Sequence, residues 1–94
     1  DIVEGHAIVR AVFSVGRRMK AAGVHVNEGR ISRNAIVHVL RDSKQVFAGS
    51  IVSLRHFKDD VRELNNGFEG GLVLDGFQDY QDGDILESHQ TVTE

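Results

Sequence analysis

Apolar and polar residues alternate with a period of two through most of the chain, the spacing of strands rather than helices. Ala7, Val9, Ala11 and Phe13 alternate with His6, Ile8, Arg10 and Val12, which predicts a strand buried on one face and partly covered on the other. Ala21 to Val26 predicts a second strand, ending at a turn over Asn27-Glu28-Gly29. Ile36 to Arg41 and Gln45 to Leu54 predict a hairpin joined by Asp42-Ser43-Lys44, and Phe68 to Leu74 and Ile85 to Gln90 complete the set. The loop Asp75 to Asp79 and the turn Asp82-Gly83-Asp84 separate these last two strands. Only Lys58 to Leu64, where Phe57, Val61 and Leu64 could share a face, predicts a short helical turn. Short strands with glycine turns, 10 Gly and no Pro predict an all-β fold, a small closed antiparallel barrel formed by residues 1–94 as one domain.

Ninety-four residues suffice for one core that buries roughly two thirds of the unfolded surface and leave little for a second. The absence of cysteine excludes a disulfide framework and a thiolate metal site. No apolar run approaches the roughly 18 residues of a membrane span, so a soluble chain without membrane contact is expected. The chain starts at Asp1 rather than Met, and a piece of a longer protein is expected. The net charge of −3 is unevenly spread. All 11 Lys and Arg fall between Arg10 and Arg62 against four acids, a net of +7, whereas Glu63 to Glu94 holds eight acids and no Lys or Arg. That segregation favours a positive face for a polyanion, unless folding interleaves the segments and cancels the field.

The densest chemistry lies in Ser53 to Arg62, where Arg55, Lys58 and Arg62 surround His56 and Phe57 directly after a predicted strand. Cations beside a ring suit phosphates and a base together, although a charged solvated loop has the same composition. A second basic cluster, Arg17, Arg18 and Lys20, falls in a predicted mobile loop, Ser14 to Lys20. In Gly67-Phe68-Glu69-Gly70-Gly71, glycines interrupt a strand where bulk is normally welcome, which admits a ligand, another backbone or a barrel corner. No P-loop run occurs. The histidines (His6, His25, His38, His56, His89) stand singly without metal-ligand spacing, and Asp79 to Asp84 lacks the spacing of a calcium loop. No catalytic constellation, metal or cofactor is expected.

Taken together, Ala22-Gly23, the S-L-x-x-F-K-D-D-V run from Ser53 to Val61, the G-F-E-G-G run from Gly67 to Gly71, and the segment from Asp75 ending in Gly83-Asp84-Ile85 resemble the C-terminal domain of bacterial translation initiation factor two. The resemblance spans about Glu4 to Glu87. It implies a barrel like the second domain of elongation factor Tu, within a larger translation GTPase whose nucleotide site lies in other domains. It implies a non-catalytic, cytoplasmic, monomeric RNA-binding module that recognises the formylmethionyl end of initiator transfer RNA and meets the ribosome through the full-length protein. An organellar homologue fits equally. The implied acceptor-end contacts are Arg55, His56, Phe57, Lys58, Glu69, Gly70 and Gly71, with Gly67 beside them and Val24 as a pocket wall. His56 stands where a second cation is common in the family, and Gly70 and Val24 stand where cysteines are frequent. By charge and shape, Arg55 and Lys58 would meet phosphates, while Phe57 would stack on a base or brace the loop. The competing expectation is a structural or ribosome-contacting barrel with no amino-acid pocket.

Overall fold

The computed structural model describes residues 2–15, 19–77 and 79–90. They form eight strands: β1 (Ile2–Val15), β2 (Met19–Ser32), β3 (Ile36–Arg41), β4 (Lys44–His56), β5 (Asp59–Asp60), β6 (Glu63–Asn65), β7 (Glu69–Leu74) and β8 (Ile85–Gln90). Among the described residues there is no helix. The sheet runs β1-β8-β3-β4-β7-β2, and β2 pairs back onto β1, so six antiparallel strands close into a barrel as the alternation predicts. β5 adds to β4, and β6 adds to the far end of β2.

Closure puts every second side chain inside. Ala7 and Val9 of β1, Ala22, Val24 and Val26 of β2, Val37 and Val39 of β3, Ile51 and Leu54 of β4, Leu72 and Leu74 of β7 and Leu86 of β8 make one buried core. β1 and β2 outrun the barrel and pair as far as Val15↔Met19, so they project as a two-stranded ribbon. Ser14, Val15, Met19 and Lys20 therefore belong to strands rather than to a loop, and Arg17 and Arg18 lie outside the described residues.

Two local expectations fail for identifiable reasons. The chain does not turn back at Asn27-Glu28-Gly29, because β2 continues to Ser32. Gly29 does take a positive φ of 63°, but within the strand, two residues beyond Asn27, where the register with β1 slips by one residue. A Cβ there would lie 2.0 Å from the Glu4 carbonyl oxygen, so only glycine allows this crossing. Lys58 to Leu64 is not helical. It holds β5, a bend and the start of β6, and Leu64, opposite Ile31, is drawn into the core.

The loop between β7 and β8 is pinned to the barrel at several points. Tyr80 is buried, and its hydroxyl accepts the Leu74 backbone N–H at 2.8 Å. Arg41 donates to both carboxylate oxygens of Asp84, at 2.9 and 2.8 Å, and to the Asp79 carbonyl oxygen at 2.8 Å. Burial pushes the Asp84 carboxyl upward, but the bonds from Arg41 and the Gln81 backbone N–H outweigh it and hold the group below the usual carboxylate range.

Candidate ligand cleft

β7 is central to the cleft because Gly71, facing outward between Glu69 and Val73, carries no side chain. Gly71 pairs with Gly23 of β2 on one side and with Arg55 of β4 on the other. A Cβ on Gly71 would meet only the Ala22 carbonyl oxygen, at 3.9 Å, so the space above it is open. Arg10, Phe13 and Met19 of the ribbon and Ser53, Arg55 and Phe57 of β4 and its turn border that space. The resulting cleft on the outer barrel surface has a volume of about 500 Å³, within the roughly 300–1,000 Å³ usual for small-molecule sites.

Most of the residues singled out from the sequence meet here. Val24, Arg55, Phe57, Glu69, Gly70 and Gly71 all line the cleft. They come from strands β2, β4 and β7, which the topology places side by side, and from the turn after β4, which holds Phe57. Their positions differ in kind. Gly70 pairs with Val24 and faces inward; a Cβ on it would lie 2.3 Å from the Arg55 carbonyl oxygen and 2.6 Å from Leu64 Cδ1. Gly70 and the buried Val24 therefore set the close packing beneath the cleft, and Gly71 leaves it open. Lys58 is exposed at the adjoining hairpin tip and does not line the cleft. Gly67 takes a φ of 89° in the turn before β7.

Phe57 has the least ordinary geometry. His56 pairs with Asp59, leaving Phe57 and Lys58 as a two-residue hairpin loop, and Phe57 takes a φ of 58°. Such loops normally place glycine, asparagine or aspartate at positive φ, and a bulky side chain there costs roughly 1–2 kcal/mol. The ring gains no core packing in return, since Phe57 is 82% exposed. It is not a core residue. It lies 4.4 Å from the His56 ring, which is in turn 5.4 Å from that of Phe68. His56 Nδ1 donates to the Glu69 carbonyl oxygen at 2.9 Å and so ties the hairpin to the start of β7.

Charge at the cleft is less free than the sequence suggests. Arg55 Nε donates to Asp60 at 3.0 Å in an exposed pair. Elsewhere Arg30 meets Glu4 and Glu63, and Arg41 meets Asp79 and Asp84. Folding thus interleaves part of the acidic ends with the basic middle. The sequence reading missed Arg10, Phe13 and Met19 as lining residues, because their approach depends on how far the ribbon extends. It also took the histidines as solitary, whereas His6, His38 and His89 gather around Glu87 on the far side of the barrel.

By architecture the chain is a small closed all-β barrel module with an open apolar cleft on its outer face. No family model matches it. Over nearly its whole length it is similar to translation initiation factor IF-2. It is 49% identical over 90 residues to the factor of Thermus thermophilus, covering 96% of the chain and 16% of that protein. It is 46% identical over 87 residues to that of Finegoldia magna, covering 93% and 11%, and 45% identical over 94 residues to that of Lawsonia intracellularis, covering 100% and 10%. The chain spans at most about a sixth of the length of these relatives. The resemblance carried by its motifs is therefore to a domain-sized portion of IF-2, consistent with the C-terminal domain.

Proposed function

We propose that this domain serves translation initiation by holding the formylmethionyl end of an initiator transfer RNA, without chemistry of its own. The observation that carries the reading is the cleft beside Phe57. Gly71 leaves its floor without a side chain, and an exposed ring stands at its edge in a backbone conformation that costs energy. The methionyl side chain would lie over Gly71, with Met19 and Phe13, whose ring covers Gly23, as apolar neighbours. Phe57 would stack on the terminal base, while Lys58 and Arg55 would meet backbone phosphates. The Arg55 contact requires competition with Asp60. The nucleotide site and the ribosome contacts of the whole protein would lie in other domains.

A free α-ammonium, with a pKa near 8, is costly to strip of water against apolar walls, whereas a formamide is neutral and still bonds. Formylmethionyl acceptor fragments should therefore bind the chain more tightly than methionyl fragments at neutral pH. Titration of both, followed by amide chemical shifts, tests the reading. Shifts should centre on Gly23, Gly71 and Phe57. Equal affinities with a folded chain would remove the amino-acid pocket and leave a structural or ribosome-contacting module.

A further inference from the structure

The barrel wall opposite the cleft carries a polar cluster that the proposed function does not use. β8 lies three strands from β7 in either direction around the barrel. On its outer surface Glu87 pairs with His6 of β1 and His38 of β3, and His89 follows two residues later on the same face. The ligating atoms of His38, Glu87 and His89 all lie within 4.8 Å of one another. The geometry points to a binding site for a divalent transition metal, with Zn²⁺ as its best match, held by these three side chains.

Three features support the assignment. The set of two imidazoles and one carboxylate is a recognised Zn²⁺ donor set that leaves a fourth position for water. His38 Nδ1 bonds the side-chain oxygen of Gln45 at 2.9 Å, so Nδ1 carries the proton and Nε2 keeps its lone pair for a metal. His6 Nε2 bonds one oxygen of Glu87 at 3.0 Å, which orients the carboxylate as an outer-shell partner does and turns its other oxygen toward His89.

Without a metal, His89 Nε2–H donates to Glu87, and the His38 and His89 rings stack with centroids 3.8 Å apart. Metal binding through His89 Nε2 would need the other neutral tautomer, so the ring proton would move from Nε2 to Nδ1 by exchange with solvent and the cation would take the freed Nε2 lone pair. It would also splay the stacked rings until the donor atoms close to about 3.3 Å from one another, the separation that tetrahedral bonds of about 2.0–2.1 Å require. Glu87 is 21% exposed and His89 14%, so the site is shielded yet open to entry of an ion.

Titration of the 94-residue chain with ZnCl₂ at roughly pH 7.5, where an ordinary imidazole is neutral, tests this. One ion should bind per chain. The ring signals of His38 and His89 should shift, and those of His25 and His56 should not. His38→Ala, His89→Ala and Glu87→Gln should each weaken binding at least tenfold, whereas His25→Ala and His56→Ala should leave it unchanged. Co²⁺ should give the intense visible bands of a tetrahedral complex. Ring signals of the unsubstituted chain that do not respond, or binding that survives in folded His38→Ala and His89→Ala chains, would overturn the assignment. The ring signals decide the matter even if a variant fails to fold.

Discussion

The same contact occurs twice in this barrel with opposite outcomes. Phe47 lies over Gly49 and Phe13 lies over Gly23, each so closely that a Cβ on the glycine would come 2.6 Å from the ring Cε2. Phe47 and Gly49 pair with Val39 and Val37 and so face the core. The Phe47 ring is closed over by Phe77 at 4.8 Å, which in turn meets Tyr80 at 5.4 Å, within the loop that Arg41 pins. Phe13 and Gly23 face outward. That ring is 55% exposed and borders the cleft. Glycine lets an aromatic ring lie flat on a sheet in both places. On the inner face the protein completes the packing itself, and on the outer face it leaves a surface for something else to complete.

If this contrast is sound, Phe47→Ala should cost about 3 kcal/mol in urea unfolding, the low end for a large core truncation because the ring is half-buried. Phe13→Ala should cost about 0.5 kcal/mol or less and should instead weaken binding in the cleft. Similar losses of stability would erase the distinction. The paired glycines sharpen it. Gly49→Ala would press on a ring held by Phe77 and on the Asp75 carbonyl oxygen at 3.3 Å, and should destabilise by about 1–3 kcal/mol. Gly23→Ala meets only a ring free to swing and Ala11 Cβ at 3.5 Å, so stability should hold while the cleft changes shape.

Acid should loosen the sealed side. The Asp84 carboxyl is held below its ordinary value near 3.9, so its contribution is present above that pH and is lost as pH falls through the folded value. Asp84→Asn should therefore destabilise the chain at pH 7, and the difference should shrink as pH falls below the ordinary carboxylate value. A difference independent of pH would assign the effect to shape rather than charge. At the cleft edge the expected change in stability is absent or of opposite sign. Phe57→Gly relieves a positive φ but adds freedom to the unfolded chain, so stability should stay level or rise by up to about 1 kcal/mol. Affinity for an acceptor end should fall by about 1–3 kcal/mol. Loss of stability would mean that the ring supports the hairpin instead.

Strand periodicity was readable because core and solvent impose it locally: Ala7 and Val9 are buried while the alternating His6, Ile8 and Arg10 are less so, as the two unequal faces of that strand predict. The error at Lys58 to Leu64 arose because Phe57, Val61 and Leu64 have helical spacing for a non-helical reason. One is exposed at a turn, one packs at the core edge and one is buried through β6. The cleft was readable as residue types but not as a shape, since Phe13 enters it only through a ribbon whose length is set by pairing. The histidine cluster left no local trace, because positions 6, 38, 87 and 89 meet only when β8 is inserted between β1 and β3.

That insertion also governs how the fold can be reached in time. β8, the last of the described strands, closes the ring, and the bond between His6 and Glu87 joins residues 81 apart in the chain. Until residues 85–90 leave the ribosome, β1 and β3 must each present an unpaired edge, open to adventitious strand partners. Folding should therefore be slow for a chain of this size and should tolerate little loss from the C-terminal strand. A nascent chain halted before Ile85 should remain protease-sensitive, however complete its first seven strands.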